Sequence, residues 1–234
     1  MLADPMTQHA RPGAILFDLD GTLVDSAPDL ASAMNRIQQQ RGLPITPYAQ
    51  LRPRASAGAR GLISAAFGMT PDDDGYESLR VAFLDNYAAA IAVDSILFDG
   101  VARMLATLRE QNIAWGIVTN KAARFTDALV PQLALSNAAC VISGDTTPHA
   151  KPHPAPLLEA ARRIGIDANQ CWYVGDDLRD IEAGRAAGMA TVSVGWGYGD
   201  PFNPQPWNAD MHVASPAELV ALITGLKNSG QPAN

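Results

Sequence analysis

Six short apolar runs constrain this chain more than any other feature: AILFDLD at 14–20, AWGIVTN at 114–120, CVISGD at 140–145, CWYVGDD at 171–177, ATVSVGWG at 190–197 and MHVAS at 211–215. Most lack polar alternation, so both faces of each need cover, as strands inside a parallel sheet have. Helical patterns lie between them. Val101, Met104, Leu105 and Leu108 follow i, i+3, i+4, i+7 spacing, and Leu157, Leu158, Ala161 and Ile164 form a similar stripe. Strand and helix alternating in this way predict an α/β core with a doubly wound parallel sheet, Rossmann-like in type.

The alternation fails between residues 24 and 97, an Ala-rich stretch with helical patterning and no convincing buried strand. It reads as an α-helical cap domain inserted after the first strand, with 1–23 and 98–234 forming the core. Inside the insertion, RPRASAGARG at 52–61 and MTPDDDGY at 69–76 read as irregular. Residues 1–12 and the tail from Lys227 are polar with Pro and Gly, and are expected to fray.

A formal charge of −7 with no Lys/Arg run argues against nucleic acid and anionic membranes as partners. The opening residues lack the apolar stretch of a signal peptide, and no run is long enough to span a bilayer. The two cysteines, Cys140 and Cys171, have neither redox nor zinc spacing and read as buried structural thiols, which suits a reduced, cytoplasmic setting. A monomer or homodimer is the expected assembly.

Phe17-Asp18-Leu19-Asp20-Gly21-Thr22 sets two carboxylates where a buried run ends, followed by a glycine that permits a sharp turn. Acids this close repel unless a cation lies between them. An EF-hand loop fits poorly: Thr22 and Asp29 stand where it wants an oxygen ligand and a glutamate, and it would follow a helix rather than an apolar strand. Gly175-Asp176-Asp177-Leu178-Arg179-Asp180 ends another run with three more carboxylates. Asp177 and Asp180 also suit a helix N-terminus. A carboxylate nest of this kind needs a hard cation, and magnesium is the natural candidate because it bridges side-chain oxygens to a substrate phosphate.

Thr119 ends the strand pattern WGIVT, where its hydroxyl and the following backbone N–H groups, beginning with Asn120, can cradle phosphate oxygens. Lys151 lies in a loop stiffened by Pro152 and Pro154 and can aim its ammonium at a phosphate. His149 and His153 flank it without a third ligand and read as solvated or capping. Gly195-Trp196-Gly197-Tyr198-Gly199 reads as packing against the sheet edge. All the acids, Thr119 and Lys151 fall near the carboxyl ends of expected strands, the edge where open α/β sheets bind ligands.

In that order, Asp-Leu-Asp-Gly-Thr-Leu at 18–23, Thr119, Lys151-Pro152 and Gly-Asp-Asp-x-x-Asp at 175–180 resemble the four motifs of the haloacid dehalogenase superfamily, over about residues 14 to 200. The insertion makes the chain similar to the phosphoglycolate phosphatase-like members, which carry a small helical cap. Lys-Pro-His-Pro-Ala-Pro and Gly-Trp-Gly-Tyr-Gly also resemble a related group of bacterial sugar-phosphate phosphatases that includes N-acetylmuramic acid 6-phosphate phosphatase. The resemblance implies a Mg²⁺-dependent phosphatase acting on a small phosphorylated metabolite, with Asp18 as nucleophile and Asp20 as general acid/base. Thr119, Asn120 and Lys151 would hold the phosphoryl group. Asp18, the backbone carbonyl of Asp20 and Asp176 would hold the metal, supported by Asp177 or Asp180.

Attack by anionic Asp18 on an anionic ester requires that charge be cancelled by the metal and by Lys151. Asp20 must arrive protonated to release the alcohol, which neighbouring carboxylates favour. In the cap, Arg54, Ser56, Gly58 and Arg60 are the expected specificity residues, with Arg54 or Arg60 contacting an anionic part of the leaving group; solvated helix-end arginines are the alternative. A dehalogenase would not need Asp20. A β-phosphoglucomutase-like phosphomutase would form the same aspartyl-phosphate and pass it to a sugar hydroxyl, and a phosphate-binding regulator would have lost one of the five core residues.

Overall fold

The computed structural model describes residues 10–199 and 207–226. In chain order, β1 (Ala14–Phe17) and β2 (Val24–Asp25) precede α1 (Ala27–Gln40), α2 (Tyr48–Leu51), α3 (Gly58–Phe67) and α4 (Tyr76–Ala88). Next come β3 (Ile96–Leu97), α5 (Val101–Glu110), β4 (Ala114–Val118), α6 (Ala123–Gln132), β5 (Val141–Ile142) and α7 (Ala155–Ile164). The chain continues through β6 (Cys171–Gly175), α8 (Leu178–Ala186), β7 (Ala190–Val194), β8 (Met211–Val213) and α9 (Pro216–Gly225).

All six apolar runs become strands of one parallel sheet, ordered β5-β4-β1-β6-β7-β8. The chain leaves central β1 toward β4 and β5, then returns to the other side for β6, β7 and β8. The order therefore reverses at β1, and a crevice opens there at the strands' carboxyl ends. Successive residues of β1 face opposite layers. Ile15 and Phe17 join the cluster that includes residues of α5, α9 and the inserted helices, while Ala14 and Leu16 pack with Leu157, Ala160 and Ala183 of α7 and α8.

The expected stripe on α5 is buried as written, at Val101, Met104, Leu105 and Leu108. That on α7 is rotated: Pro156, Leu157, Ala160 and Ala161 are buried, whereas Leu158 is 45% exposed. The buried pairs at i, i+1 and i+4, i+5 follow the helix's own line of approach to the sheet, which leucine spacing alone does not fix.

Helices α1 to α4 lie between β2 and β3, which pair antiparallel as a short ribbon with Val24 opposite Leu97 and Asp25 opposite Ile96. These strands are too short to leave a periodic signal. Tyr76, Leu79, Phe83 and Tyr87 line one face of α4, packing in the same apolar cluster as Leu30, Met34 and Ile37 of α1. Burying each aromatic contributes about 1.5–3 kcal/mol. The segment read as irregular at 52–61 is instead helical, a 3₁₀ turn over Arg52–Ala57 running into α3. Proline fits the first turn of a helix because its missing N–H would be unpaired there anyway, so Pro53, second in the turn, does not break it.

Two contacts hold the base of the insertion, the second of them also against the core. Asp29 of α1 accepts hydrogen bonds from the backbone N–H groups of Val93, Asp94 and Ser95 and from the Ser95 hydroxyl. Arg52 pairs with Asp25 at 2.8 Å and stands over the Tyr198 ring. The expected fraying concerns ends lying mostly outside the described residues. No described helix is long and apolar enough to cross a membrane.

Candidate active site

The site is built where β1, β4 and β6 end. Asp18 follows β1 and is tied to β6 by its backbone N–H, which donates to the Val174 carbonyl at 2.9 Å. Gly21 turns the chain with φ of 89°, and a Cβ there would lie 2.2 Å from an Asp176 oxygen, so only glycine lets this loop reach the β6 acid. Thr22 donates its hydroxyl to Asp176 Oδ1 at 3.0 Å.

The aromatic glycine-rich segment does more than pack against the sheet edge. The backbone N–H of Tyr198 donates to Asp176 Oδ2 at 3.0 Å, and the Trp196 indole donates to the Thr22 carbonyl at 2.9 Å. The Tyr198 hydroxyl accepts from the N–H groups of Ser26 and Ala27. Ser26 in turn donates to Asp20. A Cβ on Gly197 would fall 2.3 Å from that of Asp176, which makes the close approach specific to glycine. The segment is a clasp that fixes Asp176 and the first loop together.

Lys151 is buried and donates to Asp18 Oδ1 at 2.9 Å, Asp180 Oδ1 at 2.7 Å and the Val118 carbonyl at 3.0 Å. Its Nζ also lies 2.7 Å from the Tyr173 hydroxyl, which itself donates to Val118. Thr119 is buried at the end of β4, and its Oγ1 accepts from the Lys121 N–H at 3.1 Å, which leaves the hydroxyl proton free to donate. The expectation for Asn120 rests on its backbone N–H; its side chain has a separate place. Its carboxamide makes two 2.9 Å bonds to the backbone of Lys151, so the side chain holds the lysine loop in place and is not presented to a phosphate. Asp177 caps α8 and pairs with Arg179 at 2.7 Å. Asp180 completes that capping box through one oxygen and reaches Lys151 through the other. His149 and His153 are exposed, with rings 4.4 Å apart, and His153 accepts from the Ala155 N–H, as a capping residue does.

Charge pairing explains why this site wants a cation. Asp20 pairs with Lys121 and Asp177 with Arg179, leaving Asp18, Asp176 and Asp180 to share the single ammonium of Lys151. Carboxylate oxygens of those three lie within 4.8 Å of one another. Burial pushes Asp18 up to about 7, against the pull of Lys151 and with the push of Asp180. Burial followed by Asp18 and Asp180 holds Asp176 well above the usual carboxylate range. With all three ionised and one lysine beside them, two negative charges are uncompensated. The donor set is hard oxygen throughout, so a divalent cation fits in both charge and chemistry. The carboxylate of Asp20 is not in this cluster, because it turns to Lys121 and Ser26.

Sequence reasoning missed Lys121, Tyr87 and Arg179. Lys121 Nζ lies 3.0 and 3.1 Å from the two Asp20 oxygens and 4.6 Å from the Tyr87 ring centroid. Asp20's near neighbours are thus an ammonium and a hydroxyl, not the carboxylates expected. The signal was position, since Lys121 stands two residues beyond Thr119 at the same strand end. Arg179 donates to the Ser56 carbonyl at 2.7 Å and so bridges the insertion to the loop after β6.

These elements enclose a cavity of about 540 Å³, lined by Asp18, Asp20, Thr119, Lys121 and Lys151 from the core and by Ser56, Gly58, Phe83 and Tyr87 from the insertion. Arg54 and Arg60 do not line it; both are exposed because they project from the outer side of the 3₁₀ turn and α3. The arginines that do line it are Arg80, Arg124 and Arg179.

A family model described as haloacid dehalogenase-like hydrolase matches residues 12–188. The chain belongs to that family. This haloacid dehalogenase-like hydrolase is 48% identical over 211 residues to phosphoglycolate phosphatase of Xanthomonas campestris pv. campestris, covering 89% of this chain and 95% of the relative. It is 43% identical over 215 residues to N-acetylmuramic acid 6-phosphate phosphatase of Pseudomonas putida, covering 91% and 96%. The crystal structure of a predicted phosphoglycolate phosphatase from Haemophilus somnus 129pt superposes with a TM-score of 0.79 at 26% identity, covering 91% of this chain and 98% of that one.

Proposed function

We propose that this hydrolase releases phosphate from small phosphate monoesters, with Mg²⁺ as cofactor and through an aspartyl-phosphate on Asp18. The observation that carries the reading is the meeting of Asp18, Lys151 and Asp176 around one crevice, with Asp20 on its other side. Asp18 attacks phosphorus while the Lys151 ammonium and the Thr119 hydroxyl hold the phosphoryl oxygens. Asp20 gives its proton to the departing alcohol and then takes one from the water that cleaves the aspartyl-phosphate. Asp18, the Asp20 carbonyl and Asp176 would hold the magnesium, which when bound supplies positive charge to the phosphoryl oxygens and to Asp18. Asp180 supports the site by fixing Lys151.

The relatives' names make phosphoglycolate the first substrate to test and N-acetylmuramic acid 6-phosphate the second. The test is phosphate release from a panel holding both, with and without Mg²⁺. Magnesium-dependent release is expected. No release from any member, or conversion of a sugar phosphate to its isomer without free phosphate, would overturn the hydrolase reading in favour of phosphate sensing or a mutase. The two free, buried cysteines, with thiols pushed up to about 11 by burial, agree with a reducing cytoplasmic setting.

Thermal unfolding gives a test that needs no turnover. A carboxyl whose folded pKa is raised keeps its proton while the unfolded chain loses it, so the metal-free protein loses stability as pH rises from the ordinary value of 3.8 toward the Asp18 value of about 7. Metal ligation needs the ionised form. The rise in Tm on adding Mg²⁺ should therefore be larger near pH 8 than near pH 5.5. An equal shift at both pH values would mean that these buried acids are not the ligands.

A further inference from the structure

Among the described residues, one buried side-chain polar atom lacks a hydrogen-bond partner: the hydroxyl oxygen of Tyr87. Tyr87 stands near the end of α4, is 2% exposed, and lines the cavity at the end where Lys121 and Asp20 act on it electrostatically. Its ring is held by packing: Phe83 lies parallel at 6.3 Å and Phe125 tilts against it at 5.3 Å. The ring is thus fixed by packing, and Lys121 is the one group that acts on the hydroxyl oxygen as a donor. Lys121, above the ring, has protons only to give, so it offers no acceptor for the phenol's own proton. A buried donor without an acceptor lowers stability, and such a group persists where a ligand supplies the missing partner.

The chemistry of the cavity says where that partner belongs. The phosphoryl group lies toward Thr119 and Lys151, and Asp20 faces the leaving oxygen, so whatever lies beyond Asp20 toward Lys121 and Tyr87 belongs to the alcohol. We propose, resting on the phosphatase reading above, that Tyr87 is a specificity-determining residue whose hydroxyl donates to an oxygen of the leaving group, a carboxylate or hydroxyl carried beside the ester bond. Lys121 is the second donor to that oxygen. The substrate class is then a monoester of an oxygen-bearing alcohol, as opposed to a simple alkyl ester. One donor comes from the inserted helices and the other from the core, so such a leaving group binds both together. A cavity of about 540 Å³ is within the range, roughly 300–1,000 Å³, that encloses small organic ligands.

Tyr87→Phe removes only the hydroxyl and keeps the ring packing. For 2-phosphoglycolate and N-acetylmuramic acid 6-phosphate, kcat/KM on the better of the two should fall about 10- to 100-fold, the loss expected when a donor to a charged or polar oxygen goes. For ethyl phosphate, which has no oxygen besides those of the ester, it should stay within about threefold. The variant's Tm should rise by about 2–4 °C, because an unsatisfied buried hydroxyl has been removed. An equal loss on both kinds of ester, no loss on either, or a fall in Tm would overturn the proposal. The wild type supplies an independent measure, since its kcat/KM for the better oxygen-bearing ester should exceed that for ethyl phosphate at least about tenfold, and a ratio near one would overturn it. Release of phosphate from ethyl phosphate reports separately on the phosphatase reading, and the Tm shift needs no turnover, so failure of one is not mistaken for failure of the other.

Discussion

Asp18→Asn should lower phosphate release about ten-thousand-fold or more while the protein folds normally, because the substitution keeps the side chain's shape and removes the carboxylate proposed as nucleophile, metal ligand and partner of Lys151. Asparagine keeps the shape and an oxygen to accept from the Leu19 N–H, now bonded to Asp18 Oδ1 at 2.7 Å. What it removes is a charge that burial disfavours. The carboxyl is pushed up to about 7, so above that pH the metal-free protein holds an ionised group it would rather keep neutral. The variant should therefore be more stable than the wild type in the absence of metal, and increasingly so as pH rises toward about 7, because the wild type loses stability while its carboxyl ionises. Metal-free melting curves with single-turnover phosphate assays check both halves. Activity within tenfold of wild type would remove Asp18 from its role, and a loss of activity accompanied by unfolding would leave the electrostatic account wrong.

Lys151→Met should do the reverse to stability and nearly the same to activity. The Lys151 side chain is 3% exposed, and its ammonium serves Asp18, Asp180, the Val118 carbonyl and the Tyr173 hydroxyl. Removing it strands two carboxylates beside Asp176 with no cation. Breaking a buried ion pair from one side costs about 3–5 kcal/mol, which here should lower Tm by at least about 6 °C. Activity should fall about a thousandfold, because the positive charge facing the phosphoryl group goes with it. Lowering the pH should restore part of the stability, since Asp18, pushed up to about 7 by burial, takes up a proton. A Lys151→Met protein as stable as wild type at neutral pH would show that Lys151 does not offset buried negative charge at this site.

Much of this was legible because strands buried on both faces write themselves as unbroken apolar runs, and the six runs become the six strands of the sheet. The acids were legible for a related reason: a charged residue at the end of such a run is expensive unless something uses it. What escaped were features without a sequence period. Two-residue strands such as Val24–Asp25 are too short to alternate. The task of Asn120 depends on Lys151 lying beside it across 31 residues of chain. Tyr198 could be placed near the sheet edge, but that its N–H meets Asp176 while its hydroxyl meets Ser26 follows only from the path of the loop. Arg54 and Arg60 were in the right segment and on the outer side of it, because a 3₁₀ turn and then α3 set their side chains where a loop was expected.

The pairing of β1 with both β4 and β6 has a consequence for synthesis. Phe17 must find Ile117 on one side and Val174 on the other, and Asp176 is then secured by Tyr198, far along the chain. Contacts this distant in sequence form late, after the loops between them have closed. A nascent chain still tethered to the ribosome has already exposed Asp18 and Asp20, yet holds neither the lysine nor the acid that would make them reactive. On the proposed mechanism the site is complete only when the fold is, and a polypeptide ending before Tyr198 would lack the clasp on Asp176.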